Sequence, residues 1–342
     1  MLNLRALVCC FIFAWGVHGA AVSMAISSGQ TRQSILEMDD QTAKVGVKNS
    51  TAVEIGFSSD RYRNFQYFGK IKQWASDYQN YKIYDVKGVE SRLSDHWDEQ
   101  NEVIFDNTLE FTRNGFLSSV ALFGNLNDGP QASYGGRLKV AQDFYNKSST
   151  LGTELIVFQQ RTPVSYFRDI ENFQLKRSWD HVNGKRLEIF YQQMWSENLK
   201  SKASFFIGQR QYERPAHLGG SMKLAYALSD SCFTQLHLLR IQEDHDDPLF
   251  DNRGYFRVTT ISTELFYEAN YDLLLFAGYA LGVEEEDNRR VFEYNVLGSD
   301  TYILGGKYAL TSSVNIDLAA SHTITNATLR SFNLKVNTVW TF

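Results

Sequence analysis

The side chains of this 342-residue chain that could do chemistry fall into three sets. In the segment running from Ser321 through His322 to Asn326 a hydroxyl stands beside an imidazole, the pair that hydrolases use as nucleophile and general base. Asp244, Asp246, Asp247 and Asp251 gather around His245 at spacings that suit a cation, but the ordered glycine and closing glutamate of a calcium loop are missing. The third set is dispersed: Arg137, Lys139, Asp143, Arg186, Glu188, Lys223, Asp317 and Lys335 are each the polar member of an alternating segment. In an extended chain Ser321 and His322 point to opposite faces, and no carboxylate is placed to orient the imidazole. The first set therefore reads as a strand-end histidine and the second as an acidic loop held in water. Neither an enzyme nor a metal or cofactor site is expected, and the dispersed charges become the candidates.

What positions those charges is a period of two. Phe332, Leu334, Val336, Trp340 and Phe342 share one parity, while Asn333, Lys335, Asn337 and Thr341 share the other. Leu187, Ile189 and Tyr191 oppose Arg186, Glu188 and Gln192; Tyr134 and Leu138 oppose Arg137, Lys139 and Asp143; Ile316 and Leu318 oppose Asn315 and Asp317. Such alternation describes strands with one oily and one wet face. Very short links at 113–115, 146–149, 196–198, 228–231, 268–271 and 310–313 alternate with longer polar ones at 125–133, 160–183, 209–218, 242–255, 283–299 and 323–330. Short and long connections in strict succession describe an all-β, up-and-down antiparallel transmembrane barrel, with short turns at one membrane face and loops at the other. The hairpins from Asn101 to His322 supply twelve strands and the C-terminal segment a thirteenth. An even total calls for about fourteen strands, the first starting near Ala52, Glu54 and Gly56; a further hairpin from the segments beginning at Phe65 and Tyr78 would make sixteen.

Composition agrees. Four prolines against 18 tyrosines and 24 phenylalanines favour strands, and the net charge of −5 offers no attraction for nucleic acid. Outside the first 25 residues no apolar run reaches the roughly 18 residues of a membrane helix. Those first 25, with Arg5, an apolar core from Ala6 to Val17 and small residues at Gly19 to Ala21 and Ala25, read as a secretory signal peptide. Its removal leaves Cys232 without an intrachain partner. Residues 26–50 read as a periplasmic extension and 51–342 as the barrel.

A signal peptide, unequal hairpin loops and a last strand ending in Trp340 and Phe342 resemble the bacterial outer-membrane β-barrel proteins, in particular the porin-like barrels associated with envelope or exopolysaccharide export. The resemblance implies residence in the outer membrane, contact with its lipid and lipopolysaccharide, and Trp340 and Phe342 as the signal read by the barrel-assembly machinery. For function, a barrel of this size with mixed charges on its wet face is expected to be a channel for polar small molecules, saccharides among them; the alternatives are a structural or export partner in polysaccharide or protein secretion, and a lipid-modifying enzyme. The rim segment around His322 is similar to that of outer-membrane lipid A deacylases but departs from it at Thr323 and Thr325. On the wet face the charges either line a solvated passage or pair across neighbouring strands. The link 160–183, with Arg161, Arg168, Lys176 and Arg177, could narrow that passage or meet lipopolysaccharide phosphates.

Overall fold

A computed structural model describes residues 21–36, 43–79, 99–127, 133–146, 148–169, 174–210, 217–247, 252–288, 293–325 and 329–342. The strands are β1 (Ala21–Leu36), β2 (Ala43–Ser58), β3 (Phe65–Gln79), β4 (Glu99–Arg113), β5 (Phe116–Asn127), β6 (Ser133–Phe144), β7 (Ser149–Asp169) and β8 (Gln174–Met194). There follow β9 (Leu199–Arg210), β10 (His217–Ser229), β11 (Cys232–Asp247), β12 (Asn252–Asn270), β13 (Leu273–Asn288), β14 (Glu293–Thr311), β15 (Val314–Thr325) and β16 (Leu329–Thr341). Each pairs antiparallel with its chain neighbours, and β1 pairs with β16, so the sheet is a closed barrel without an edge. Closure matters energetically, because an unpaired backbone edge facing hydrocarbon would cost several kcal/mol per polar group, on the order of 4–8 for an amide.

The seam joins the first and last of these strands. Met24 lies opposite Trp340 and Ile26 opposite Thr338 in the β1–β16 register. The Phe342 amide donates to the Val22 carbonyl at 2.8 Å, so the terminal aromatic holds the last rung of the cylinder. Cys232 is a free thiol, and the ladder itself supplies the cross-links.

The short links fall where the alternation places them. Asn114 and Gly115 both take positive φ, 51° and 77°, the two-residue turn that matches the twist of a hairpin. Tyr145 and Asn146 repeat the device at φ 49° and 55°.

Three expectations need correction. The strand number is sixteen rather than fourteen. The added pair is not the hairpin suggested at Phe65 and Tyr78; it arises because β1 occupies the span expected as a periplasmic extension and β3 follows β2 through a tight link at 59–64, closed by the Tyr62–Phe65 bridge. Accordingly the barrel does not start at residue 51, and the expected end of the signal peptide, Ala25, falls inside β1; residues 1–20 lie outside the described ones. β1 was hidden because its outward side is oily only at Val22, Met24 and Ile26 and then turns polar at Ser28, Gln30 and Arg32.

Finally, the long links are shorter than their polarity implies. β7 and β8 stay paired out to Asp169 and Gln174, β11 and β12 to Asp247 and Asn252, and β13 and β14 to Asn288 and Glu293. A polar side chain ends the lipid-facing belt, but backbone pairing is indifferent to it, so hairpins continue into water beyond the roughly 9–11 residues that span hydrocarbon.

Candidate functional site: the inner wall

Exposure separates the two faces. Val120, Leu122, Leu138, Leu155, Val157, Ile189, Phe205, Leu236, Leu265, Leu304, Leu318 and Leu334 are exposed large apolar side chains of one parity. All the buried apolar residues among the described ones, Ala52, Ala121, Ala141, Phe190 and Phe206, have the other parity. The concave side of a cylinder crowds its side chains and the convex side splays them, so the first set faces out. Tyr226, Tyr267 and Tyr308 end the outer belt near the short turns, where an amphipathic ring gains from the headgroup region.

Every dispersed candidate then lies on the inner parity: Arg137, Lys139 and Asp143 on β6, Arg186 and Glu188 on β8, Lys223 on β10, Asp317 on β15 and Lys335 on β16. Strands about 4.8 Å apart and tilted about 40° close sixteen-fold into a cylinder roughly 16 Å in backbone radius, wide enough for an aqueous channel.

Charge is unevenly arranged around this wall. Along β2 to β6 ion pairs join Lys70 to Glu54 at 3.0 Å, Arg137 to Asp106 at 3.0 Å and Arg61 to Glu110 at 3.7 Å. Asp143 accepts from the Thr150 hydroxyl at 2.7 Å. Across β6 to β10 cations meet rings. Arg186 pairs with Glu188 and lies 4.1 Å from the Phe206 ring centre, while Lys139 and Lys202 both approach the Phe190 ring at 5.1 Å. On the far side Phe233 stacks on Phe266 at 4.6 Å, and Phe266 meets Phe276 at 5.9 Å. There Asp317 accepts from Asn337 at 3.4 Å and lies opposite Lys307, while Lys335 lies between Ala319 and Gly29.

The inward rings lie flat because the next strand offers a glycine. A Cβ on Gly152 would stand 2.3 Å from Phe190 Cζ, and one on Gly219 2.4 Å from Phe206 Cζ. Phe158 over Gly184 and Phe276 over Gly305 repeat the arrangement. Without room at the glycine each ring would swing toward the axis. The aromatics therefore pave the wall instead of projecting toward the axis.

The sequence reading missed Glu54, Lys70, Asp106, Lys202 and the inward phenylalanines. Phe190 sits inside the polar run Arg186, Glu188, Gln192, and an apolar residue on a wet face reads as noise until its glycine is known to be next door. The signal that could have found it is the recurrence of inward-parity glycines at Gly135, Gly152, Gly184 and Gly219.

The other candidates do not come together. Ser321 lies opposite Asn333 and Ile303 on the inner parity, and His322 lies opposite Phe332 and Tyr302 on the outer one; Asn326 is outside the described residues. Asp244, Asp246 and Asp247 belong to the paired β11–β12 ladder, but their side chains and Asp251 are outside what is described, as are the side chains of Arg161, Arg168, Lys176 and Arg177.

No protein-family model matches the chain, and no curated protein does. Solved structures do match in fold. A bacterial polysaccharide outer membrane secretin shares 14% identity over 95% of this chain and 98% of its own, with a TM-score of 0.47. A mutant of the TodX monoaromatic hydrocarbon channel shares 9% identity over 96% and 91%, with a TM-score of 0.49. OccAB4 of Acinetobacter baumannii shares 11% identity over 95% and 98%, with a TM-score of 0.47. Such values carry no weight on what this chain binds or passes, which has to be read from its own wall.

Proposed function

We propose that this chain is an outer-membrane channel through which polar small molecules, saccharides among them, cross down their gradient. The observation that carries the reading is the contrast between the two faces of one closed sheet: leucines and aromatics outside, paired charges and flat rings inside. An oily exterior stabilises the barrel in hydrocarbon. A charged interior has no counterpart in lipid and needs water.

The two meanings of the inner charges hold together here. Pairs such as Arg137–Asp106 stay close to the wall, so they hold the register while keeping the path wet. Rings beside charges suit solutes with both hydroxyl and C–H faces, which is the support for saccharides. Trp340 and Phe342 remain the proposed contact for the assembly machinery, and lipopolysaccharide the surrounding lipid.

The test is conductance of the purified barrel in planar bilayers, followed by swelling of proteoliposomes in isosmotic sugars. Stepwise openings and sugar-dependent swelling are expected. A closed trace at all voltages with no swelling would overturn the channel reading in favour of a structural or export-partner barrel.

A further inference from the structure

The cations on the two faces of the sheet differ in kind. Among the described strand residues, those of the inner wall are mostly lysines, Arg137 and Arg186 excepted, whereas those of the outer parity are arginines, Lys185 excepted: Arg32, Arg113, Arg240, Arg257 and Arg330. All of these arginines but Arg113 stand toward the long-loop end of their strands. Arg330 lies ten residues from Trp340 along β16. At about 3.3 Å per residue and a tilt of about 40° that is about 25 Å along the membrane normal, the far edge of the apolar belt. An outward cation at that level meets headgroups.

Two of the arginines come together at the seam. Arg32 lies opposite Phe332 and Arg330 opposite Ser34, so the two are diagonal neighbours about 7–8 Å apart, a spacing that long side chains bridge. Both are exposed. Arg32 Nε donates to Gln30 Oε1 at 2.9 Å, and Gln30 Nε2 donates to Asn49 Oδ1 at 2.9 Å. That neutral chain orients the guanidinium and leaves its two terminal nitrogens as a fork matched to an oxyanion. Among the described residues no carboxylate lies on the outer parity of β15, β16, β1 or β2; Asp77 and Asp300 are each two strands away, and Asp300 accepts from the Tyr279 hydroxyl. Arg240 and Arg257 repeat the diagonal, but there Glu285 lies opposite Arg257.

The wall below the pair is divided. The outer side of β1 and β2 is polar at Ser28, Gln30, Thr51 and Asn49, while β16 alongside still presents Val336, Leu334 and Phe332. Phe332 is 46% exposed and stands between Arg32 and His322. Amide side chains turned toward pure hydrocarbon are costly, so this sector suits a molecule that brings polar groups down beside its acyl chains.

We propose that Arg32 and Arg330, with Gln30 and Asn49 beside them and Phe332 below, form a binding site on the outside of the barrel for a phosphorylated glycolipid of the outer leaflet. The phosphate sits on the arginine forks and the acyl chains run along β16. The site rests on residence in the outer membrane and not on conduction, so it stands or falls separately from the channel reading.

The experiment is native mass spectrometry of the full-length barrel, released from detergent after titration with bisphosphorylated lipid A, with the same lipid dephosphorylated, or with inorganic phosphate as competitor. The phosphorylated lipid is expected to stay bound about tenfold or more tighter than the dephosphorylated one. R32Q/R330Q should lose that preference, and R32K/R330K should keep only part of it, because the charge remains without the fork. The charge-matched variant K307Q/K335Q, altered on the inner wall, should keep all of it. Equal retention of the dephosphorylated lipid, retention unchanged in R32Q/R330Q or in R32K/R330K, or displacement of the lipid by an equal concentration of inorganic phosphate overturns the site. Glu37, Asp39 and Asp40 of the link at 37–42 lie outside the described residues; were they the partners of the arginines, the native barrel would show no preference for the phosphorylated lipid, which overturns it as well.

Discussion

Replacing Leu304 by arginine tests which face of the wall meets lipid. Leu304 lies on β14 opposite Ala277 and Ala320 and is 66% exposed on the outer parity. Leu310, six residues on, shares that parity beside the short turn at 312–313. At about 3.3 Å per residue and a tilt of about 40°, Leu304 stands about 15 Å further from the turn, close to the middle of an apolar belt about 25 Å tall. Arginine on the lipid face costs about 2–4 kcal/mol at the midplane and about 0–1 near the interface. L304R should therefore lower the folding equilibrium constant roughly 30- to 1,000-fold, and L310R by less than about fivefold. Ser321→Arg supplies the inward control: Ser321 faces the lumen opposite Asn333 and Ile303, where the new cation stays hydrated. The assay is reversible urea unfolding of the barrel in lipid vesicles, read by intrinsic fluorescence. Equal losses for L304R and S321R, or a larger loss for S321R, would refute the assignment of the two faces and the channel reading with it.

Asp106→Asn leaves Arg137 without its carboxylate and adds one net positive charge to the lumen, so the reversal potential in a potassium chloride gradient should move toward anion selectivity. Stability should change by no more than about 1 kcal/mol, because both partners of this pair are about a third exposed. Gly152→Val sets a branched Cβ where Phe190 Cζ would be 2.3 Å away and Ala141 Cβ 2.9 Å; urea midpoints should fall by the equivalent of about 1–3 kcal/mol and conductance should drop as the ring swings toward the axis. Intact-mass measurement of the mature protein should place its N-terminus at or before Val22, because Ser23 and Ala25 pair with both β2 and β16; a chain starting at Ile26 would contradict the place of β1 in the barrel.

Most of the architecture was legible because its signal is local. The terminal strand from Phe332 to Phe342, the turn at Asn114 and Gly115, and the inner parity of Arg186 and Glu188 follow from a period of two and the chemistry of tight turns, both contained within about ten residues. Legibility failed where the local pattern weakened: β1, with a half-polar outer face, passed for an extension, and the hairpin ends of β7 and β8 passed for loop because polarity and pairing are separate properties.

Alternation along the chain thus decided which side of the wall each charge faces. Only the closed tertiary structure decided what it meets. Sliding one strand by two residues leaves every side chain on its face yet exchanges every cross-strand partner, so nothing in a single strand could pair Arg137 with Asp106 or bring Lys139 and Lys202 to one ring. Those partners are set by the register that sixteen strands must share for β16 to meet β1.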